Sequence, residues 1–301
     1  MPQRILQATA ASLSWQPLDG DGEPGDPGGT VTVGVVASDG STVISSGTAT
    51  SGSGSEPRAV ALTAAQTADL EVFAATWKIG STTVATTEHW VVGGFLYSIA
   101  DLRNRERSLA DSARDESTVL REVRDEIEET FEGATGVPWT PRLHLVTSLR
   151  DHDGYSLDTR RTHARTVRWC RLWSTESSYT ELTAAELAEI APAEDGILTL
   201  PVSTSGAWKV TAAVEVGFWQ PGSAVVGSQV PADVRRQALL AARAGTNQAR
   251  SGIPDRATSQ QLADGGSVTL ATPGVGRWIT GIPTVDELLK RRDRRRAGYV
   301  I

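Results

Sequence analysis

Trp208-Lys209-Val210-Thr211-Ala212-Ala213-Val214-Glu215-Val216-Gly217-Phe218 alternates cleanly. Its even-numbered residues are apolar, and Lys209, Thr211, Glu215 and Gly217 fall between them. A period of two predicts an extended strand with one face in a core. Shortly after it, Val230-Pro231-Ala232-Asp233 opens a pattern of another period. Val234, Ala238, Leu239, Ala241 and Ala242 line one side of a helix predicted over 231–248. Strand and helix in succession predict an α+β chain.

Upstream, residues 98–132 carry the longest helical pattern. Leu102, Leu109, Ala113, Leu120, Ile127 and Phe131 recur at spacings of four and seven. No Gly or Pro interrupts them before Gly133. A continuous helix over this span would be about 50 Å long. Arg121 with Asp125, and Arg124 with Glu128, are spaced for i,i+4 pairs. Small residues along 231–248 let that helix approach this one closely. The residues between, 141–225, return to strand-like runs: Leu143, Leu145 and Val146; Val167, Trp169, Leu172 and Trp173; Ile197, Leu198 and Leu200. Thr183-Ala184-Ala185-Glu186 is a capping box opening a short helix.

Residues 1–94 read as an all-β module. Short Val-, Thr- and Trp-rich runs are separated by Gly, Asp and Ser clusters, as in a β-sandwich. Leu70, Val72 and Trp77 are candidate core residues, and the odd spacing of Trp77 predicts a bulge before it. Gly93-Gly94 is the expected hinge. The fold class is therefore α+β and multidomain: a β-sandwich over 1–94, a helical domain with a β insertion over 95–261, and an extended arm over 262–301.

That arm carries Trp278, Ile279, Ile282, Val285, Leu288 and Leu289, which favour burial, in a stretch punctuated by Gly, Thr and Pro. A helical pattern starts at Thr284 and runs into the basic stretch Lys290–Arg296. Apolar side chains without enough chain around them to form a core predict completion by another polypeptide.

Composition narrows the function classes. The chain has 301 residues, a net charge of −7 and 9 Trp. An acidic balance argues against broad DNA binding. No apolar run is long enough for a transmembrane helix, and no signal peptide is evident, so no membrane association is expected. Cys170 is the lone cysteine, which excludes an internal disulfide and makes a reducing compartment the default. The four His have no metal-ligand spacing, and no P-loop, dinucleotide fingerprint or nucleophile elbow is present. Asp151-His152-Asp153 reads as a solvated hairpin tip, because adjacent loop residues do not converge on one point. Gly274-Val275-Gly276 is a turn former. The expectation is no enzyme, no catalytic residue, no metal and no cofactor.

The order of these elements resembles a known family. Helix 98–131, Gly136-Val137-Pro138-Trp139-Thr140-Pro141-Arg142, the strand from Trp208 to Phe218 and Val230–Leu240 together resemble the head-to-tail connector (adaptor) proteins of tailed bacteriophages. The ending Thr272-Pro273-Gly274 through Gly281-Ile282-Pro283-Thr284-Val285-Asp286-Glu287-Leu288-Leu289 is similar to adaptors from phages of actinobacteria. The resemblance covers about 95–301, and the module before it looks like an added Ig-like domain. It implies a homo-oligomeric ring, a dodecamer, beneath the portal protein of the virion neck, assembled in the host cytoplasm. The ring extends the DNA channel and is a platform for a neck or tail-completion protein. Genomic DNA passes through without sequence-specific binding. The arm residues Trp278, Ile279, Ile282, Val285, Leu288, Leu289, Arg291, Arg292, Arg294 and Arg295 are then the portal-docking set. Glu122, Asp125, Glu126 and Glu129 are candidate channel-lining acids. The alternative is a carbohydrate-binding or carbohydrate-active protein with the Ig-like module as an adhesin.

Overall fold

The computed structural model describes residues 2–49, 56–106, 109, 117–149, 154–218, 229–248, 259–261, 267–269 and 279–293. The chain begins with β1 (Gln3–Leu6), β2 (Ala11–Trp15), β3 (Val31–Val36), β4 (Thr42–Thr48), β5 (Arg58–Leu62), β6 (Glu71–Ile79) and β7 (Thr82–Val92). Helices α1 (Ile99–Arg105) and α2 (Ser117–Thr135) follow. Then come β8 (Arg142–Leu149), β9 (Ser156–Asp158), β10 (Ala164–Trp173), β11 (Tyr179–Glu181), α3 (Ala184–Glu189), β12 (Ile197–Thr199) and β13 (Lys209–Val216). The chain closes with α4 (Ala232–Gln248), β14 (Ser259–Gln261), β15 (Ser267–Thr269) and α5 (Pro283–Arg292).

These elements form two compact units, and each draws on two stretches of sequence. One comprises Met1–Gly94 with Pro141–Gly217, the other Phe95–Thr140 with Phe218–Ile301. This corrects the expected boundaries: the β segment after residue 141 joins the N-terminal strands and not the helices. The reason lies in the sheet. Strand order is β11-β10-β13-β8-β7-β6-β3-β4, with β1 parallel on β7. Val92 pairs with Arg142 across β7 and β8, and Gly93 N–H donates to the Pro141 carbonyl at 2.8 Å. Strand edges carry unmet backbone donors and acceptors, so adjoining edges join.

Within the β unit, β2 and β5 pair only with each other and cover one face of β3, β6 and β7. Leu13, Val33, Val35, Leu62, Phe73, Ala75 and Trp77 fill the space between. Val31, Val33 and Val35 alternate inward along β3, as a half-buried strand requires. The bulge expected before Trp77 does not occur. Pairing runs unbroken from Glu71↔Val91 to Trp77↔Ala85, and the register shift falls between Trp77 and Lys78. Phe73, Ala75 and Trp77 share the core face, while Val72 is buried on the other side. A second core lies under β8, β10 and β13, where Val146, Val167, Cys170, Val210, Ala212, Val214 and Val216 meet. The even-numbered alternation of β13 is thus as read, except that Trp208 is exposed and the odd-numbered Ala213 is buried as well. Cys170 is buried there as a small apolar group, and burial pushes its thiol up to about 12. Thr183 caps α3 with the reciprocal Glu186 bonds of a capping box.

In the helical unit the expected single helix over 98–132 is divided. Helix α1 ends at Arg105, with Glu106 in extended backbone at φ −126 and ψ 95. Helix α2 starts at Ser117 and is 19 residues long, so it spans about 28 Å. At the end of α1 the Glu106 N–H donates to the Leu102 carbonyl at 3.0 Å, which closes its last turn. Leu102, Leu109 and Leu120 still reach one core despite the interruption, which is why their spacing imitates an unbroken stripe. Gly136 at φ 70 ends α2, its N–H donating to the Glu132 carbonyl at 2.7 Å. Helix α4 matches its expected span. Strands β14 and β15 form a two-stranded hairpin.

Candidate assembly surfaces

The expected docking arm is where sequence and structure differ most. Helix α5 packs on α2 and α4 within its own chain. Val285, Leu288 and Leu289 are 0 %, 2 % and 1 % exposed in the core formed by Leu120, Phe131, Val234 and Ala238. Three of the proposed docking residues are thereby spent on the chain's own fold. Asp286, also fully buried, accepts from the Thr280 N–H at 2.8 Å and the Thr280 hydroxyl at 2.9 Å, closing the turn before the helix. Arg292 donates to Asp233 at 3.0 Å, joining the last turn of α5 to the first of α4. Partial burial of Asp233 opposes its charge. The hydrogen bond and charge of Arg292 outweigh that and hold the carboxyl below its usual range. Of the remaining docking set, Ile282 packs against the core edge, and Ile279 and Arg291 are exposed. Trp278, Arg294 and Arg295 lie outside the described residues, as do Gly274-Val275-Gly276 and Asp151-His152-Asp153.

The acidic set on α2 separates into two groups. Glu122, Glu126 and Glu129 are exposed on the outer side of the helix. Asp125 is half-buried and pairs with Arg124 at 3.2 Å. The inner side also holds charges. Arg124, Glu128 and Glu132 are all buried. Glu128 accepts the Leu96 backbone N–H at 2.6 Å, and the Arg124 guanidinium lies 3.2 Å from the Phe95 ring centroid. Their signal was available as Leu120, Arg124, Glu128, Phe131 and Thr135, a buried stripe at helical spacing that mixes apolar and charged types. Hydropathy alone does not reveal such a stripe. Trp139 and Phe218, one from each side of the β segment, stack at 5.4 Å and close this core.

The β unit has a surface that sequence reading missed. Trp169, Arg171 and Trp173 share the face of β10 opposite its core, with Lys209 and Thr211 of β13 beside them and Tyr179 on edge strand β11. Lys209 Nζ lies 4.5 Å from the Trp173 ring and 5.0 Å from the Trp208 ring. Arg171 sits 4.7 Å from Trp169 and 4.9 Å from Tyr179. Trp208 and Tyr179 are 42 % and 44 % exposed. Residues 169, 171, 173, 209 and 211 are alternate positions on paired strands, so a period-two reading of β10 marks this face once the pairing is known. Trp169 and Arg171 also bond to the 38–39 turn, at 3.4 Å to the Ser38 hydroxyl and 2.8 Å to the Asp39 carbonyl.

Among the described residues no group of three or more His, Cys, Asp or Glu is arranged to hold a metal. No described helix is long and apolar enough to cross a membrane. No protein-family model matches the chain, and no curated protein matches it. In a comparison of folds, the chain is similar to one from the neck of an empty GTA particle computed with C6 symmetry. Identity is 18 %, with 65 % of this chain and 89 % of that chain covered at a TM-score of 0.42.

Proposed function

We propose that this chain is a structural, non-enzymatic head-to-tail adaptor of a tailed phage, of the type found in phages of actinobacteria. In this reading copies form a ring beneath the portal in the virion neck. The ring continues the DNA channel and presents a platform to a neck or tail-completion protein. One observation carries the reading. Of the segments of adaptor resemblance, α1, α2, Gly136–Thr140, Val230–Leu240 and Gly281–Leu289 meet in a single helical core through Trp139–Phe218 and the packing of α5 on α2 and α4, while the Lys209–Val216 strand belongs to the β unit. Helical segments distant in sequence that share one core are more specific together than any of them alone.

The exposed acids Glu122, Glu126 and Glu129 suit a surface past which DNA slides, because like charge weakens adhesion to phosphate. Portal docking then falls to Ile279, Ile282, Arg291 and the residues that flank α5, since the helix's apolar side is already buried. The N-terminal strands support an Ig-like module: β4-β3-β6-β7 corresponds to the C′CFG order of an immunoglobulin sheet, and β2-β5 to its B and E strands. The carbohydrate reading gains no support from the exposed aromatics. Lys209 and Arg171 stand over the ring faces on which a sugar would stack.

The test is reconstitution. Purified full chain is added to DNA-filled, portal-bearing heads that lack this protein, and the vertex is imaged. A ring under the portal is expected, with occupancy reduced by Ile279→Ser combined with Arg291→Glu. Bare portals at saturating protein would overturn the reading.

A further inference from the structure

The aromatic and cationic face of the β unit has a counterpart on the same unit. Asp19-Gly20-Asp21-Gly22-Glu23-Pro24-Gly25-Asp26 places four acids in the link between β2 and β3. Leu18 stands at its base, 60 % exposed, the most exposed large apolar side chain among the described residues. The loop is held in one shape. Leu18 bridges Pro24, Asp19 N–H donates to the Glu23 carbonyl at 2.8 Å, and Asp19 Oδ1 accepts from the N–H groups of Asp21 at 2.9 Å and Glu23 at 3.0 Å. The result is an acidic knob closed by its own hydrogen bonds, with one exposed leucine.

We infer that this knob is the occupant of the Trp173–Tyr179–Trp208–Lys209 face in a second copy of the chain. The argument has three parts. Charge is complementary: the face presents Lys209, Arg171 being already paired with Glu181 at 3.0 Å, and the knob presents Asp21 and Glu23, which steers encounter and fixes register. The residue types are those of interface centres, since Trp, Tyr and Arg dominate binding energy when they meet an apolar group from which water is excluded. Preorganisation is built in, because the bonds from Asp19 fix the knob before docking and lower the ordering cost. A patch on one copy that meets a different patch on the next is a heterologous contact, the kind that closes into rings. The inference rests on the assembly reading to the extent that copies of this chain meet one another, and it names the surfaces by which they do.

The experiment mixes two full-length variants, Leu18→Cys and Tyr179→Cys, under mild oxidation. Cys170 is buried and does not compete. The mixed disulfide is expected to form about tenfold faster than either homotypic one. Lys209→Glu in the Tyr179→Cys chain should abolish that advantage, and adding Asp21→Lys with Glu23→Lys to the Leu18→Cys chain should restore it. Equal rates for mixed and homotypic pairs overturn the inference, as does failure of the double reversal to rescue. Portal binding by the wild-type chain is read separately. Rings on portals with no mixed disulfide sink this contact alone, and a mixed disulfide with bare portals sinks the adaptor reading alone.

Discussion

Glu128 on α2 accepts the backbone N–H of Leu96 at 2.6 Å, in the middle of the helical core. A carboxylate at a position an apolar residue would ordinarily fill does what no apolar residue can: it satisfies a buried main-chain donor just before α1. Glu128→Leu leaves that donor without its partner and should cost about 1–3 kcal/mol, with Glu128→Gln costing less because its amide oxygen still accepts. Urea unfolding of the three proteins measures the order, and an unchanged midpoint for the leucine variant contradicts it.

Tyr97 presents the opposite situation. Its ring is buried, its hydroxyl has no hydrogen-bond partner among the described residues, and burial together with the Glu128 charge pushes its ionisation up. Tyr97→Phe removes a desolvated polar group and keeps the ring. Stability should rise by about 1 kcal/mol. A lower melting temperature would reveal a role for the hydroxyl that this geometry does not supply.

Helix α5 distinguishes a core element from a loose arm. Leu288→Ala should destabilise the helical unit by about 2–5 kcal/mol, whereas Ile279→Ser, at a half-exposed site, should stay within about 1 kcal/mol. For the same reason, deleting the chain after residue 265 is expected to expose the α2–α4 core to proteases. Equal denaturation midpoints for Leu288→Ala and the parent would place α5 outside the cooperative unit.

Two histidines make the β unit sensitive to acid. Burial pulls His89 down to about 4, and burial with the Arg161 and Arg142 charges does the same to His144. Both ordinarily titrate near about 6.5, so between that pH and about 4 the unfolded chain binds more protons than the folded one. Stability should therefore be fully present above about pH 6.5 and decline as the pH falls toward about 4. His89→Gln should flatten part of that slope in unfolding curves taken across this range. A slope identical to the parent's would show that His89 carries none of it.

Gly196 sits at φ 86, and a Cβ there would overlap the Arg161 carbonyl oxygen. Gly196→Ala combines left-handed strain with a backbone clash, each worth about 1–3 kcal/mol. Reduced soluble yield and a lower melting temperature are the expected readouts.

Local pattern carried much of this architecture. Alternation marked β13, the Pro231 start marked α4, the Thr183–Glu186 box marked α3, and the turn chemistry after residue 132 marked the end of α2. Each is a signal contained within a few residues of backbone. The division of 98–132 was not legible, because leucines spaced by seven satisfy one core whether or not the chain between them is helical. Buried Arg124 and Glu128 fall on the helical spacing of Leu120 and Phe131, but hydropathy hid them, since their burial follows from Phe95 and Leu96, which approach only in the folded chain.

What the sequence determined by itself was the period of each segment, its caps and the acidic balance, because those depend on neighbours along the chain. Tertiary structure decided the partners. It joined β8 to β7, so the β segment left the helices that flank it. It folded Val285, Leu288 and Leu289 back onto α2 and α4 and gathered Trp173, Tyr179, Trp208 and Lys209 on one face. Burial and strand pairing are set by which surfaces meet, and a hydrophobic side chain records only that it favours leaving water, not which chain element will cover it.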